Sequence, residues 1–168
     1  MSIKLVGAAE AIWAGDIHHE DGDHQSLFIR NEWGWAYTSD PSYCGHFVAV
    51  AARMAGVERD VAYFILPSTA RLAGKVESAN HLKPLADVKP EDIQEGDIVC
   101  VNPTNEKPYG THIVLATSAP DERGYYSTIE GNSWGKRADG SNGKGVVKKY
   151  RRLTTTARAY RLKESQWK

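Results

Sequence analysis

The sequence predicts an α+β fold in which N-terminal helices pack on an antiparallel β-sheet. Helix-favouring segments fill the first part of the chain, and after about residue 84 short runs of β-branched and aromatic residues alternate with turns. The pattern contains no internal repeat and no linker. We therefore expect the 168 residues to form a single domain, 1–168, which is large enough to bury a core without disulfide bonds.

Three helices are expected before the sheet. Residues 3–14 carry helix-favouring Ala, Leu and Glu. A second helix is predicted to begin at Cys44 and to end near Gly56, because glycine is common just after a helix. A third is expected near residues 58–73, where Pro67 interrupts or restarts it. In the second helix, four apolar residues are expected on one face: Phe47, Val48, Ala51 and Met54.

The second part of the chain is expected to form the sheet. A polar turn at residues 119–123 separates two apolar runs that we expect to pair as a hairpin. The last two runs carry basic residues on what is predicted to be a solvated face. The predicted strands are 96–103, 111–118, 124–132, 144–153 and 157–163.

Charge and hydropathy restrict the class of partner. The chain has 21 basic and 21 acidic residues, so it has no overall field for holding nucleic acid or an anionic membrane. No apolar run reaches the length of a membrane-spanning helix, and residues 1–16 lack the apolar core of a signal peptide. We expect cytoplasmic synthesis without a signal peptide, no nucleic-acid partner and no membrane insertion.

The two cysteines lie in different settings, and a disulfide framework is not expected from so few. Cys100 lies in the apolar run 96–103 and is expected to be an inert, buried strand residue. Cys44 lies at a predicted helix start, where backbone N–H groups and the helix dipole favour an anion. Such a setting lowers the pKa of a thiol, which makes Cys44 a candidate nucleophile.

A nucleophilic cysteine needs a base, and His112 at the start of an apolar strand is the candidate. If Thr117 faces Tyr125 in the hairpin, then His112 faces Glu130, with Cβ atoms about 5 Å apart. A register slip of one residue would break this direct pairing. Asn132 points to the same face and is a second candidate for orienting the imidazole. A thiol, an imidazole and a polar partner are the groups that thiol-dependent acyl transfer needs.

Four stretches carry a family resemblance: YCGHFVAVAARMAG, EGDIVCV, GTHIVLATS and STIEGNSWG. Together they resemble the cysteine-, histidine-dependent amidohydrolase/peptidase (CHAP) domains and, more broadly, the NlpC-type papain-like peptidases. The resemblance covers residues 33–135, which would be the core of a single catalytic domain. It implies a papain-like fold with the nucleophilic cysteine at a helix N-terminus.

The resemblance also implies a function. The chain would be a cysteine amidase or endopeptidase that cleaves amide bonds in bacterial peptidoglycan, in the stem or cross-bridge peptide or at the sugar–peptide link. Cys44 would be the nucleophile and His112 the base, with Glu130 and Asn132 as the polar residues beside the histidine. The expected partner is peptidoglycan or its stem peptides, and no cofactor is expected.

An enzyme of this kind would act on the cell wall after release or injection. The absence of a signal-peptide core fits an endolysin or an antibacterial effector better than a housekeeping enzyme. An effector would have an immunity or transport partner as well.

Aromatic residues flank the candidate site. We predict that some of them line a substrate groove, although aromatic side chains are more often found in the core. The candidates for substrate binding are Trp35, Tyr37, Tyr43 and Trp134.

A cluster of three histidines and one single histidine are interpreted as surface features. Residues 18–24, HHEDGDH, offer three imidazoles and three carboxylates, but their spacing does not place ligands on one helix face. We therefore expect a solvated loop and no metal site. His46 is expected on the surface of its helix, because it points to a different side from Cys44.

Other functions remain open at this stage. A papain-like acyltransferase, deamidase or effector toxin acting on a protein or lipid would use the same chemistry. A non-catalytic wall-binding domain would be indicated by loss of one of the three groups, and all are present. Metal-dependent hydrolysis through residues 18–24 would be inhibited by a chelator rather than by a thiol reagent.

Overall fold

A computed structural model describes residues 2–16, 43–63, 65, 85–101 and 112–168 of the chain. Within these residues, three α-helices precede the sheet: α1 (Ser2–Ala14), α2 (Cys44–Met54) and the short α3 (Arg59–Tyr63). Two short 3-10 helices, Pro90–Asp92 and Glu164–Gln166, lie in the second part. No helix in the described ranges is long and apolar enough to cross a membrane.

The second part folds into one six-stranded antiparallel sheet with the strand order β1-β6-β2-β3-β4-β5. The sheet is open, since β1 and β5 are its two edges. The chain is therefore α+β. The strands are β1 (Ala86–Val88), β2 (Ile98–Val101), β3 (His112–Ala116), β4 (Tyr125–Lys136), β5 (Asn142–Arg152) and β6 (Arg158–Arg161).

The predicted order of helices followed by an antiparallel sheet is confirmed, and each of the five predicted strands is present. Three details differ. β4 continues past the predicted end at residue 132 to Lys136. β1 lies in a segment predicted to be a turn, and its three residues become a strand by pairing with β6. α3 ends at Tyr63, and most of the remaining predicted helix, residues 66–73, lies outside the described residues.

Each face of the sheet carries an apolar cluster. On one face, α2 packs against β3 and β4, and Phe47 lies with Ile113 and Leu115 in the main core. The other face carries a smaller cluster that includes Val114 and Tyr126. Because successive side chains of a strand point to opposite faces, β3 must be apolar at nearly every position to serve both clusters.

The central helix α2 is buried on more than one side. The predicted apolar face is too narrow, since eight residues of the helix are buried and Met54, predicted on that face, is 58% exposed. The helix ends where the sequence predicts. Gly56 adopts φ 94° and donates to the carbonyl of Arg53 at 3.0 Å, while Val57 donates to Ala52 at 2.9 Å. This pair of bonds is the usual way a glycine closes a helix.

Gly131 allows the start of α2 to approach β4 closely. A Cβ atom built at this position would lie 2.6 Å from Cβ of Phe47 and 3.0 Å from the carbonyl oxygen of Tyr43. These distances leave no room for a side chain. The absence of one therefore determines how near the first turn of α2 comes to the strand that carries Glu130.

We predict that Gly131→Ala destabilises the fold. The added methyl group meets a Cβ atom and a backbone oxygen, neither of which can move alone, so the free energy of unfolding should fall by about 1–3 kcal/mol in denaturant titrations. Gly7→Ala is the matched control. Gly7 is exposed in α1 with open space around it, and this change should raise stability by about 0.5–1 kcal/mol. Equal stability of the Gly131 variant and the wild type would contradict the close approach.

Candidate active site

Cys44 is the first residue of α2 and is only 5% exposed. Tyr43 occupies the N-cap position, and its side chain makes no capping hydrogen bond. The helix dipole and the amide groups of the first turn are therefore directed toward the end of the helix where the thiol lies. The first turn contains no acidic residue to oppose a negative charge there, so the setting favours the thiolate.

His112 connects Cys44 to Glu130. The imidazole hydrogen bonds with the side chain of Cys44, and its Nε2 donates to Oε2 of Glu130 at 2.9 Å. An ionised carboxylate only accepts hydrogen bonds, so Nε2 carries a proton and Nδ1 is the ring nitrogen left for the thiol. The three side chains thus form a continuous hydrogen-bonded chain.

The hairpin that carries His112 and Glu130 has a register two residues away from the predicted one. Ala116 pairs with Thr128, whereas the predicted pairing would place it opposite Tyr126. The direct pairing of His112 with Glu130 is therefore wrong. A shift of two residues keeps every side chain on its face, because strand side chains alternate with a period of two. Glu130 consequently reaches His112 diagonally rather than from the opposite position.

Glu130 is fully buried, and three side chains hold its carboxylate. Arg151 donates from Nε to Oε1 at 2.5 Å and from Nη2 to Oε2 at 2.7 Å. Thr128 donates its hydroxyl to Oε1 at 2.6 Å. The third donor is the imidazole of His112. Both carboxylate oxygens are therefore satisfied, and their positions are fixed from β3, β4 and β5.

These contacts keep Glu130 ionised. Burial alone raises the pKa of a carboxyl group, because it disfavours the charged form. The hydrogen bonds from His112, Arg151 and Thr128, with the positive charge of Arg151, outweigh burial and hold the pKa of Glu130 well below its ordinary value. A carboxylate, rather than a carboxylic acid, faces the imidazole throughout the physiological range.

Two opposing effects act on His112. Burial of the ring lowers the pKa, but hydrogen bonding with Cys44 and Glu130, together with their negative charges, prevails and raises the pKa from 6.5 to about 9. The protonated imidazole is therefore the stable form at neutral pH. A thiolate and an imidazolium can coexist here as an ion pair, which is the reactive form of a nucleophilic cysteine.

Asn132 lies two residues beyond Glu130 in an unusual conformation. Its φ is 56°, in the left-handed region that asparagine tolerates better than most residues. The pairing of β4 with β5 shifts between Glu130 and Ser133, so Asn132 belongs to a β-bulge beside the candidate site. Bulges commonly re-aim side chains next to active sites. This position is compatible with a supporting role for Asn132.

Cys100 has the buried strand position that its sequence predicts. It is fully buried in β2, where its partners are Ile113 on β3 and Arg158 on β6. Burial raises the pKa of its thiol to about 12, so Cys100 remains protonated and unreactive at neutral pH.

The structure describes two of the four aromatic candidates for a substrate groove, and these two differ in exposure. Trp134 is 66% exposed on β4 and offers a surface to a ligand. Tyr43 is completely buried against the core, so its ring does not line an open groove and that assignment is not supported. Trp35 and Tyr37 lie outside the described residues.

The structure describes one of the two histidine features that the sequence predicts to lie on the surface. His46 is 1% exposed, so the prediction of a helix-surface position is wrong, because α2 is covered on that side as well. Residues 18–24 lie outside the described residues. Within the described part of the chain, no group of three or more His, Cys, Asp and Glu side chains is arranged to hold a metal ion.

Sequence reasoning missed Arg151 and Thr128. Arg151 lies in the basic run 144–153, which was expected to be a solvated face, yet its side chain is only 22% exposed and is paired with Glu130. The sequence did contain a sign of such a partner, because a carboxylate placed on a buried strand beside a histidine requires a cation or several hydrogen-bond donors nearby.

Comparisons with family models, with curated proteins and with solved structures found no significant match to this chain.

We predict an alkaline limit to activity near pH 9. If the reactive form is the thiolate–imidazolium pair, activity requires a proton on His112 and falls as pH rises through the raised pKa of about 9. The measurement is kcat/KM as a function of pH, with a peptide substrate that the protein cleaves. Glu130→Gln should move this limb to lower pH, because an amide stabilises the imidazolium less than a carboxylate does. An alkaline limb unchanged in that variant would contradict the coupling.

We also predict that Arg151→Gln lowers the free energy of unfolding by about 3 kcal/mol, since it leaves the charge of Glu130 buried without its cation. Arg152→Gln, at the adjacent exposed position, should change stability by no more than about 0.5 kcal/mol. Denaturant unfolding of both variants tests this difference. Similar stabilities for the two would show that Arg151 is not needed to compensate Glu130.

Proposed function

We propose that the chain is a cysteine hydrolase that cleaves amide bonds. One observation carries the proposal: the hydrogen-bonded chain from Cys44 through His112 to the buried carboxylate of Glu130. The helix start activates the thiol, the imidazole accepts and returns its proton, and the carboxylate orients and charges the imidazole. These are the three roles that a thiol-dependent acyl transfer requires.

In the proposed reaction His112 takes the proton of Cys44, and the thiolate attacks the carbonyl carbon of the amide. The carbon–sulfur bond forms while the carbonyl electron pair moves to oxygen, where first-turn amides of α2 stabilise the negative charge. Collapse of this intermediate breaks the carbon–nitrogen bond, and the imidazolium gives its proton to the leaving amine. Water, deprotonated by His112, then hydrolyses the thioester to release the acid and restore the thiol.

For the substrate we propose peptidoglycan or its stem peptides, cleaved by an amidase or endopeptidase of the papain-like class. The support is the resemblance of the stretches around Cys44, His112 and Glu130 to the CHAP and NlpC-type peptidases. The order of a helix-borne cysteine, a strand histidine and an acidic residue on the adjacent strand agrees with that class. The proposed action is on the cell wall after release or injection.

The experiment that tests this function is digestion of purified peptidoglycan, followed by mass analysis of the fragments. Release of fragments with new amine and carboxyl ends supports an amidase or endopeptidase and identifies the bond. Transfer of an acyl group to an added amine, without net hydrolysis, would instead favour an acyltransferase. An unchanged substrate under conditions that preserve the thiol would contradict the proposal.

We predict that activity depends on one of the two thiols. Cys44→Ser should fold normally and lose nearly all turnover, because an alcohol is far less acidic than a thiol. Cys100→Ser should keep most activity, with a loss of stability because it places a hydroxyl group in a buried strand. Fragment release by mass analysis and unfolding in denaturant measure the two effects. Loss of turnover in the Cys100 variant alone would refute the assignment.

We predict that Glu130 is the main orienting residue. Glu130→Gln should lower kcat about 100-fold or more, the scale lost when proton transfer is misdirected. Asn132→Ala should do less and should act mainly on KM, as expected for a residue that supports Glu130 or the substrate. Steady-state kinetics of the two variants show which substitution lowers activity more. If Asn132→Ala proves the more damaging change, the roles are reversed.

A further inference from the structure

A basic cavity lies on the face of the sheet that α1 and α2 do not cover. Its volume is about 330 Å³, and its lining includes the apolar residues Val99, Val101 and Ala157 together with Lys149 and Arg151. Val99 and Ala157 also belong to the smaller apolar cluster on this face. We call this feature the basic cavity. A cavity of this volume can hold one functional group or side chain of a ligand, but not a whole macromolecule.

The charges around the basic cavity are all of one sign. Lys149, Arg151 and Arg152 line it, and no lining residue is acidic. Glu130 balances the charge of Arg151. Among the described residues, neither Lys149 nor Arg152 forms an ion pair. The cavity therefore has an uncompensated positive charge, although the chain as a whole has a net charge of zero.

The basic cavity adjoins the candidate active site through two contacts. Val101, in its lining, is the cross-strand partner of His112, and cross-strand partners place their side chains on the same face. Arg151, also in its lining, holds the carboxylate that orients the imidazole. A group bound in the cavity would thus lie within one or two side chains of the base.

We infer that the basic cavity binds a carboxylate group of the peptide substrate, close to the amide that is cleaved. The cations supply charge for a carboxylate, and the valine and alanine side chains supply an apolar wall for the methylene or methyl group that carries it. The neutral net charge argues against a long polyanion, which would need an extended basic surface. This inference rests on the proposed function, and it adds that the enzyme selects acidic peptides.

The test compares two stem peptides that differ only in whether their carboxyl groups are free or amidated. The wild type should cleave the free form with a kcat/KM about fivefold higher or more, the scale of one ion pair at a partly exposed position. Lys149→Gln should remove that preference, and Lys149→Glu should invert it. Lys149 is partly exposed on β5, so these variants should keep the fold.

Lys89→Gln is the control, because it removes one lysine charge from an exposed position beside β1, outside the lining of the basic cavity. It should retain the preference of the wild type. Equal cleavage of the two peptides by the wild type, or a preference that survives Lys149→Gln, would overturn the inference while leaving the hydrolase intact.

A binding experiment separates this inference from the proposed function. Cys44→Ala, which cannot turn over, is titrated with each peptide by calorimetry, with and without Lys149→Gln. Tighter binding of the free-carboxyl peptide that depends on Lys149 supports carboxylate binding in the basic cavity. If the wild type cleaves neither peptide but shows this binding, only the hydrolase proposal fails. Displacement of the peptide by inorganic phosphate at similar concentrations would mean a general anion site and would overturn the peptide assignment.

Discussion

The arrangement of the candidate site depends on one buried charge, the carboxylate of Glu130. An ionised carboxylate without partners costs several kcal/mol in a protein interior, so its neighbours must supply compensation. Arg151, Thr128 and His112 do so from three adjacent strands. The same contacts that make the charge tolerable also fix the imidazole and raise its pKa. The compensation of the buried charge and the raised pKa of the imidazole therefore have a common origin.

The thiol and the imidazole are brought together at the junction of a helix with a sheet. The glycine at position 131 lets the first turn of α2 approach β4, and Asn132 follows it in a β-bulge with a φ of 56°. Glu130 thus supplies the buried charge, Gly131 supplies the space for the close approach of α2, and Asn132 lies in the bulge of the strand. Each is a different physical requirement, and together they account for the EGN sequence at this point of the chain.

The sequence predicts the elements of the site because these rest on local rules. A helix start at Cys44 follows from apolar spacing and the closing glycine, and the shared face of His112 and Glu130 follows from strand alternation, which survives a register shift of two residues. Burial set by distant packing is not predictable in the same way. Arg151 has the sequence context of a solvated residue, yet it pairs with Glu130 on the neighbouring strand, and His46 has the context of a helix surface, yet it is 1% exposed.

The two thiols differ in environment rather than in exposure. Cys44 and Cys100 are 5% and 0% exposed, but one faces a helix start and an imidazole, while the other lies inside a sheet with its pKa raised to about 12. An electrophilic label that reacts with thiolates will therefore discriminate between them by charge rather than by access. Such a label would attach at one defined position in the native fold, and the adduct would mark the surroundings of the helix start for a probe of any size that the label carries.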